Sequence, residues 1–168
     1  VSKKSEYLIS EKIKNHEVDW GELIKKTKET ANLFFEEDLI EENPFYLDAK
    51  KMTEIYLVSI GEIKLSDELI IYNTNDYLRL YIIAVNQISL KSIQIPKNVQ
   101  IEVILHSSDR KVVLNSNELV VNACNSLSEL SIYTSPKGVV FYDEDGAMID
   151  KECIWSGDNR LLSPRFKV

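Results

Sequence analysis

The spacing of apolar residues changes near residue 53, and this change predicts two structural regions. Before residue 53, apolar side chains recur three and four positions apart, which is the period of one face of an α-helix. This stripe comprises Trp20, Leu23, Ile24, Thr27, Ala31, Phe34 and Phe35. Asp19 and Glu22 have the spacing of a capping box, which favours a helix start at Asp19. A second helix is expected after Asn43-Pro44, because Asn is a good N-cap and Pro suits the first helical position.

After residue 53, runs of Val, Ile, Tyr and Thr alternate with turn-forming residues, which predicts many short strands. Because the connections are short, they leave no room for the crossovers that parallel neighbours require, so we expect an antiparallel sheet. The candidate strands are 54–60, 62–65, 68–73, 77–85, 88–95, 98–106, 111–115, 118–122, 127–134, 138–142 and 147–155. The predicted fold class is therefore α+β. Two or three N-terminal helices (1–52), packed on the sheet, precede an antiparallel β-sandwich or open Greek-key barrel (53–168).

One internal similarity also favours a Greek key. The segment 90–99 resembles 127–139, since each has alternating apolar residues followed by Pro-Lys. Two strands joined in this way, about forty residues apart, would fit a duplicated Greek-key unit.

Composition excludes most motif-bearing enzyme classes. The 168-residue chain has five glycines, and the closest two are too far apart for the glycine-rich motifs of dinucleotide, phosphate-loop or hydrolase sites. Its two histidines, His16 and His106, are too distant for a zinc-protease or zinc-finger pattern. A net charge of −7 disfavours nucleic-acid binding and suits a basic protein partner. The longest apolar run, 80–85, is too short to span a membrane, and no cofactor is predicted.

The strongest candidate binding residues lie on one predicted strand. Tyr77, Arg79 and Tyr81 alternate with aliphatic residues, so strand geometry places the three on one face. Tyr and Arg dominate protein interfaces, and flat tyrosines also form platforms for sugar rings. The simpler interpretation is a half-exposed strand face filled with amphipathic residues. Trp20, Phe34 and Phe35 would join the binding surface if the helical stripe were a dimer or docking face rather than core.

Clustered acids and thiols give weaker candidates for chemistry. Asp143, Asp145 and Asp150 are candidate Ca²⁺ ligands, although their spacing fails an EF-hand and fits a solvated hairpin turn. Cys124 and Cys153 would form one disulfide in an extracellular chain, and either would pair with His106 in a catalytic dyad. Buried, unreactive thiols are the commoner case.

These observations together favour a non-catalytic function. We expect a protein-binding or assembly module, either an inhibitor or immunity-type protein or a structural subunit. One alternative is a carbohydrate-binding β-sandwich that uses the same tyrosines. Another is a hydrolase with a carboxylate pair, which is assembled in space and leaves no local spacing rule.

Overall fold

The computed structural model describes residues 33–96, 98–114, 129–135, 140–142, 148–149 and 156–158. Within these ranges the chain forms thirteen strands and no helix. The strands are β1 (Leu33–Phe35), β2 (Leu39–Glu41), β3 (Phe45–Asp48), β4 (Glu54–Ser59), β5 (Ile63–Tyr72), β6 (Tyr77–Ala84), β7 (Ile88–Gln94), β8 (Gln100–Ser107), β9 (Lys111–Leu114), β10 (Glu129–Ser135), β11 (Val140–Tyr142), β12 (Met148–Ile149) and β13 (Ser156–Asp158).

Apart from β2–β3 and β11–β12, which each stay in one sheet, successive strands alternate between two sheets, so the chain winds as a β-solenoid. Sheet A has the order β1-β4-β6-β8-β10-β13. Sheet B has the order β12-β11-β9-β7-β5-β2, with β3 also paired to β5. All pairs are parallel except the two that involve the last strands, β12 and β13. Each parallel crossover is thus made by a strand of the other sheet.

Strand register defines a coil of about 24 residues. Leu33, Leu57, Ile82 and Leu105 are paired in sheet A at intervals of 24, 25 and 23 residues. In sheet B, Leu39, Ile63, Ile88 and Val112 follow at intervals of 24, 25 and 24. Equivalent positions therefore stack directly above one another from coil to coil.

The core is a column of aliphatic side chains between the two sheets. Strand geometry sends alternate residues inward, and those residues are Leu, Ile and Val at almost every position. The inward residues of β6 and β8, which lie at the centre of sheet A, are fully buried or nearly so, and they are Leu78, Leu80, Ile82, Ala84, Ile101, Val103 and Leu105. Burial of such a column supplies most of the free energy that holds a solenoid together.

Serines form a polar rung where sheet A turns into sheet B. Ser59 and Ser107 face inward, one coil on either side of Ala84, with which both are in register. The Ser59 hydroxyl donates to the Glu37 carbonyl at 2.7 Å and accepts from the Gly61 N–H at 2.9 Å. Two coils later, the Ser107 hydroxyl donates to the Asn86 carbonyl at 2.7 Å. These bonds satisfy backbone groups at a partly buried corner.

Gly61 is required at the same corner. A Cβ atom at this position would collide with the Asp38 carboxylate of the preceding coil. That carboxylate is fixed, because its Oδ1 accepts the Glu62 backbone N–H at 2.8 Å. Glycine therefore lets two successive corners stack closely.

The opposite corners contain side chains that bond across coils. Asn73 has a positive φ of 57°, which asparagine tolerates better than most residues. Its amide donates to Asp48 Oδ1 at 3.0 Å, and the Asn75 amide donates to the Lys51 carbonyl at 2.6 Å. Residues 73–76 are thus the connection between β5 and β6.

The α+β prediction with an antiparallel sandwich or barrel is wrong. In the described residues the fold is an all-β solenoid with mainly parallel sheets. Phe34 and Phe35, predicted at the end of a helix, lie on β1, and Asn43-Pro44 precedes β3 rather than a helix. Proline fits there because it is tolerated where a strand begins. No helix among these residues is long and apolar enough to cross a membrane.

The proposed Greek-key repeat is also absent from the register. Leu130 and Ile132 pair with Ile101 and Val103 of β8 in sheet A, whereas Ile93 pairs with Leu69 in sheet B. The two similar segments therefore are not equivalent in successive coils. Their resemblance reflects the alternation that all of these strands share.

Candidate functional site

The predicted Tyr77–Arg79–Tyr81 face lies on the outer side of sheet A. Arg79 is in register with Glu54 on one side and with Glu102 on the other. Its Nε lies 3.1 Å from Glu102 Oε2, and the Tyr77 hydroxyl donates to the same oxygen at 3.2 Å. Arg79 and Tyr77 are half-buried. Through this ion pair the Arg79 guanidinium links β6 to β8, and it is also partly exposed to solvent.

Burial and the charges of this cluster shift the pKa values of Tyr77 and Arg79. Burial raises the pKa of Tyr77, because it disfavours the phenolate; Arg79 opposes this effect and Glu102 adds to it. For Arg79, burial alone would lower the pKa, but Tyr81, Tyr77 and Glu102 more than compensate and raise it above its ordinary value. Arg79 therefore stays charged, and Tyr77 stays a neutral hydrogen-bond donor.

Tyr81 differs from its two neighbours on the strand, because it is fully buried. Its ring stacks on Tyr56 of the adjacent coil, with centroids 4.8 Å apart and planes within 9°. Tyr56 is 4% exposed, and its hydroxyl donates to Glu54 Oε1 at 3.0 Å. Tyr81 can thus support a binding face through packing, whereas Tyr77 and Arg79 are the members that reach the surface.

Burial continues along the outer face of sheet A. The next outward positions on β4, β6 and β8 are Val58, Ile83 and His106, which are in register. Val58 and Ile83 are 0% exposed and His106 is 3% exposed. His106 points outward whereas Ser107 points inward, so the two do not converge as members of a catalytic triad.

A different surface, on the outer side of sheet B, does expose large apolar side chains. Tyr46 is 64% exposed, Ile40 48% and Tyr72 43%. The rings of Tyr46 and Tyr72 meet edge to face, with centroids 6.4 Å apart. We call Tyr46 and Tyr72 the Tyr46 patch; they lie on β3 and β5, at one end of sheet B. Ile40 is exposed on β2, but it pairs with Lys64, six residues along β5 from Ile70, the partner of Tyr46.

The coil that carries the Tyr46 patch is strongly acidic. Residues 36–48 contain six carboxylates and no lysine or arginine. Glu36, Glu37, Asp38 and Glu42 are exposed. Asp38 also bonds the next corner and Asp48 bonds Asn73, so part of this charge is structural. Glu42 lies four residues before Tyr46, whereas Glu37 lies at the corner beside Ser59.

Sequence analysis missed the Tyr46 patch, because the helical interpretation of residues 43–52 concealed the strand. The available signal was the alternation of Phe45 and Leu47 with Tyr46 and Asp48, which sends the tyrosine outward. The pairing of β3 with β5 then places Tyr46 beside Ile70, and Tyr72 follows two residues later on β5. Only the coil register brings these residues together.

Several predicted residues lie outside the described ranges. They are Trp20, Cys124, Asp143, Asp145, Asp150 and Cys153. Among the residues that the structure does describe, no group of three or more His, Cys, Asp or Glu side chains is placed to hold a metal ion. The calcium, disulfide and catalytic-cysteine hypotheses therefore stay predictions from the sequence.

Comparison of the chain with protein-family models, with curated proteins and with solved structures finds no match.

Proposed function

We propose that this chain is a non-catalytic protein-binding or assembly module that binds a basic segment of a partner protein through the Tyr46 patch. The observation that carries the proposal is the exposure of Tyr46 and Tyr72, whose rings are in contact on one face. Clustered, exposed apolar side chains are costly on a monomer surface and commonly mark interaction sites.

The composition of this surface resembles that of an interface. Binding energy is concentrated in a few central residues, among which tyrosine is enriched, and a polar rim surrounds them. Here Tyr46 and Tyr72 are exposed, Asp48 is in register with Tyr72, and exposed Glu42 lies four residues before Tyr46, so acidic side chains supply the rim. A negative rim favours a Lys- or Arg-rich partner, because complementary charge speeds encounter and rejects acidic competitors.

A carbohydrate-binding function has less support. A sugar platform uses exposed aromatic faces, but the tyrosines with parallel rings, Tyr56 and Tyr81, are buried. The exposed pair, Tyr46 and Tyr72, meets at an interplanar angle of 79° and so presents no common plane. A hydrolase that uses Glu54 and Glu102 is also disfavoured, because each carboxylate already accepts a tyrosine hydroxyl.

The test compares variants of the full chain. Affinity capture from the native source identifies proteins retained by the wild type, and the captured protein is then purified for calorimetric binding. We expect Tyr46→Ser with Tyr72→Ser to weaken binding at least about tenfold, since a central tyrosine commonly contributes more than 1.4 kcal/mol. Binding should also weaken with salt, and Glu42→Gln should reduce that salt dependence.

Val113→Ser provides the matched control. Val113 is half-buried on the same sheet, away from the acidic coil, so its loss tests a non-specific decrease in surface hydrophobicity. The proposal requires normal binding by this variant. Equal binding by the Tyr46/Tyr72 variant and the wild type would overturn it, as would a partner whose binding is insensitive to salt.

A further inference from the structure

One edge of β3 carries backbone groups that point away from its neighbour in the sheet. Among the strands that the structure describes, β3 pairs with β5 alone. The Ala49 N–H donates to the Tyr72 carbonyl at 3.0 Å, so this position directs its backbone toward β5. Because the backbone groups of a strand alternate between its two sides, Leu47 also faces β5, whereas Tyr46 and Asp48 direct their N–H and C=O groups the other way. We call this opposite side the β3 edge.

The core column is incompletely covered at the β3 edge. Phe45 faces the column in register with Leu69 of β5, and Leu69 lies between Phe45 and Ile93 of β7. With a strand on each side, Leu69 is 0% exposed, whereas Phe45 is only half-buried. A strand added along the β3 edge would place its inward side chains over Phe45, so apolar residues suit those positions.

The charges beside the β3 edge favour basic residues on the outward side of an added strand. Glu41 and Glu42 precede β3, and Asp48 ends it on the same outer face as Tyr46. Lys50 and Lys51 follow, so the attraction for a cation is greatest at the Glu42 end of the strand. An extended segment in which apolar and basic residues alternate therefore fits both sides of this edge.

We propose that the β3 edge binds such a segment of a partner protein as an added β-strand. This inference rests on the proposed function and specifies how the basic segment is held. The segment accepts hydrogen bonds from the N–H groups of Tyr46 and Asp48 and donates to their carbonyl oxygens. Its apolar side chains extend the core column over Phe45, and its basic side chains lie beside the Tyr46 patch. Edge strands bind peptides in this way, because main-chain bonds supply affinity and alternate side chains supply specificity.

Amide hydrogen exchange in the full chain, followed by NMR, tests this mode of binding residue by residue. The probe is the peptide acetyl-Val-Lys-Val-Lys-Val-Lys-Val-amide, which has the required alternation and charge. In the free chain we expect rapid exchange of the Tyr46 and Asp48 N–H groups and slow exchange of the Leu47 N–H, which faces β5. Saturating peptide should slow exchange at Tyr46 and Asp48 at least about tenfold, since a bonded amide exchanges only when its bond opens.

Two further peptides are the matched controls. The same sequence with every backbone nitrogen methylated retains the side chains and the charge but cannot donate the main-chain bonds, so it should give no protection. A Val-Glu peptide of equal length retains the main-chain donors and reverses the charge, so it should bind at least about tenfold more weakly.

Failure of the Val-Lys peptide to bind, or binding without protection of Tyr46 and Asp48, would overturn strand addition. Equal protection by the methylated or the Val-Glu peptide would do the same. So would protection that appears in the free chain as its concentration rises, because the occupant would then be a second copy. None of these results concerns contacts made through the tyrosine rings, so the proposed function would still stand. Unchanged binding and protection in the Tyr46→Ser, Tyr72→Ser variant would instead contradict the proposed function and support strand addition.

Discussion

Replacing Tyr81 by alanine tests whether the outer face of sheet A is a second buried layer. Burying an aromatic side chain removes roughly 150–250 Å² from water, which is worth about 4–6 kcal/mol at ~25 cal/mol per Å². Alanine retains part of this contribution, but the change leaves a cavity and removes the stacking contact with Tyr56. The expected loss is about 3–5 kcal/mol, the range measured for buried aromatic residues replaced by alanine.

Urea unfolding followed by far-UV circular dichroism measures this loss, with Tyr72→Ala as the control. Tyr72 has the same side chain but is 43% exposed, so its replacement should cost no more than about 1 kcal/mol. A double-mutant cycle of Tyr56→Leu and Tyr81→Leu should give a coupling of about 1 kcal/mol for the stacked pair. Equal costs for Tyr81→Ala and Tyr72→Ala would refute the buried layer.

Three further predictions concern the corners and the charged cluster. Gly61→Ala should destabilise the chain by about 1–3 kcal/mol in the same assay, because the new methyl group meets the Asp38 carboxylate. Adding Asp38→Ala to the Gly61→Ala variant should recover part of this loss, and no recovery would contradict the explanation. Ser107→Ala should cost about 1 kcal/mol by removing the hydrogen bond from the buried Ser107 hydroxyl to the Asn86 carbonyl, whereas Ser89→Ala on the half-buried outer face should change stability by less than about 0.5 kcal/mol. Because the pKa of Tyr77 is raised in the folded chain, its contribution is complete below the unfolded value near pH 10 and is lost at higher pH. Stability curves of wild type and Tyr77→Phe should therefore converge above about pH 10, and parallel curves would exclude this linkage.

Strand positions were largely predictable from the sequence, but strand partners were not. Candidate strands 54–60, 88–95 and 111–115 match β4, β7 and β9 to within one residue at each end. The alternation of apolar and polar residues predicts which side of a sheet a residue faces, but it does not identify the neighbouring strand. Short connections were taken to exclude parallel pairing, an argument that holds only when consecutive strands share a sheet. Here β4 and β6 are parallel neighbours because β5, in the other sheet, connects them.

The coil repeat is present in the sequence as repeated pairs of aliphatic residues, but variation in coil length obscures it. The aliphatic pairs Ile55/Leu57, Leu80/Ile82 and Val103/Leu105 are structurally equivalent, but their spacing changes from 25 to 23 residues. A search for apolar alternation at about this offset would have found them, whereas literal similarity favoured the unrelated segments 90–99 and 127–139. Alternation alone predicted that Tyr77 and Arg79 share one face of a strand, which the structure confirms. The burial of Tyr81 depends on what lies over the sheet, which no local pattern encodes.

Because the coils stack in register, the stability of this protein is approximately a sum of terms for single coils and for the junctions between neighbouring coils. Each parallel coil draws its cross-strand contacts from the coils immediately before and after it, so cooperativity depends on the junctions between neighbours rather than on a single centre. A weak junction then divides the molecule into parts that melt separately. The corner at Gly61 and Asp38 joins the acidic coil to the next one, so loosening it would let the Tyr46 end fray while the coils from β6 to β9 stay wound.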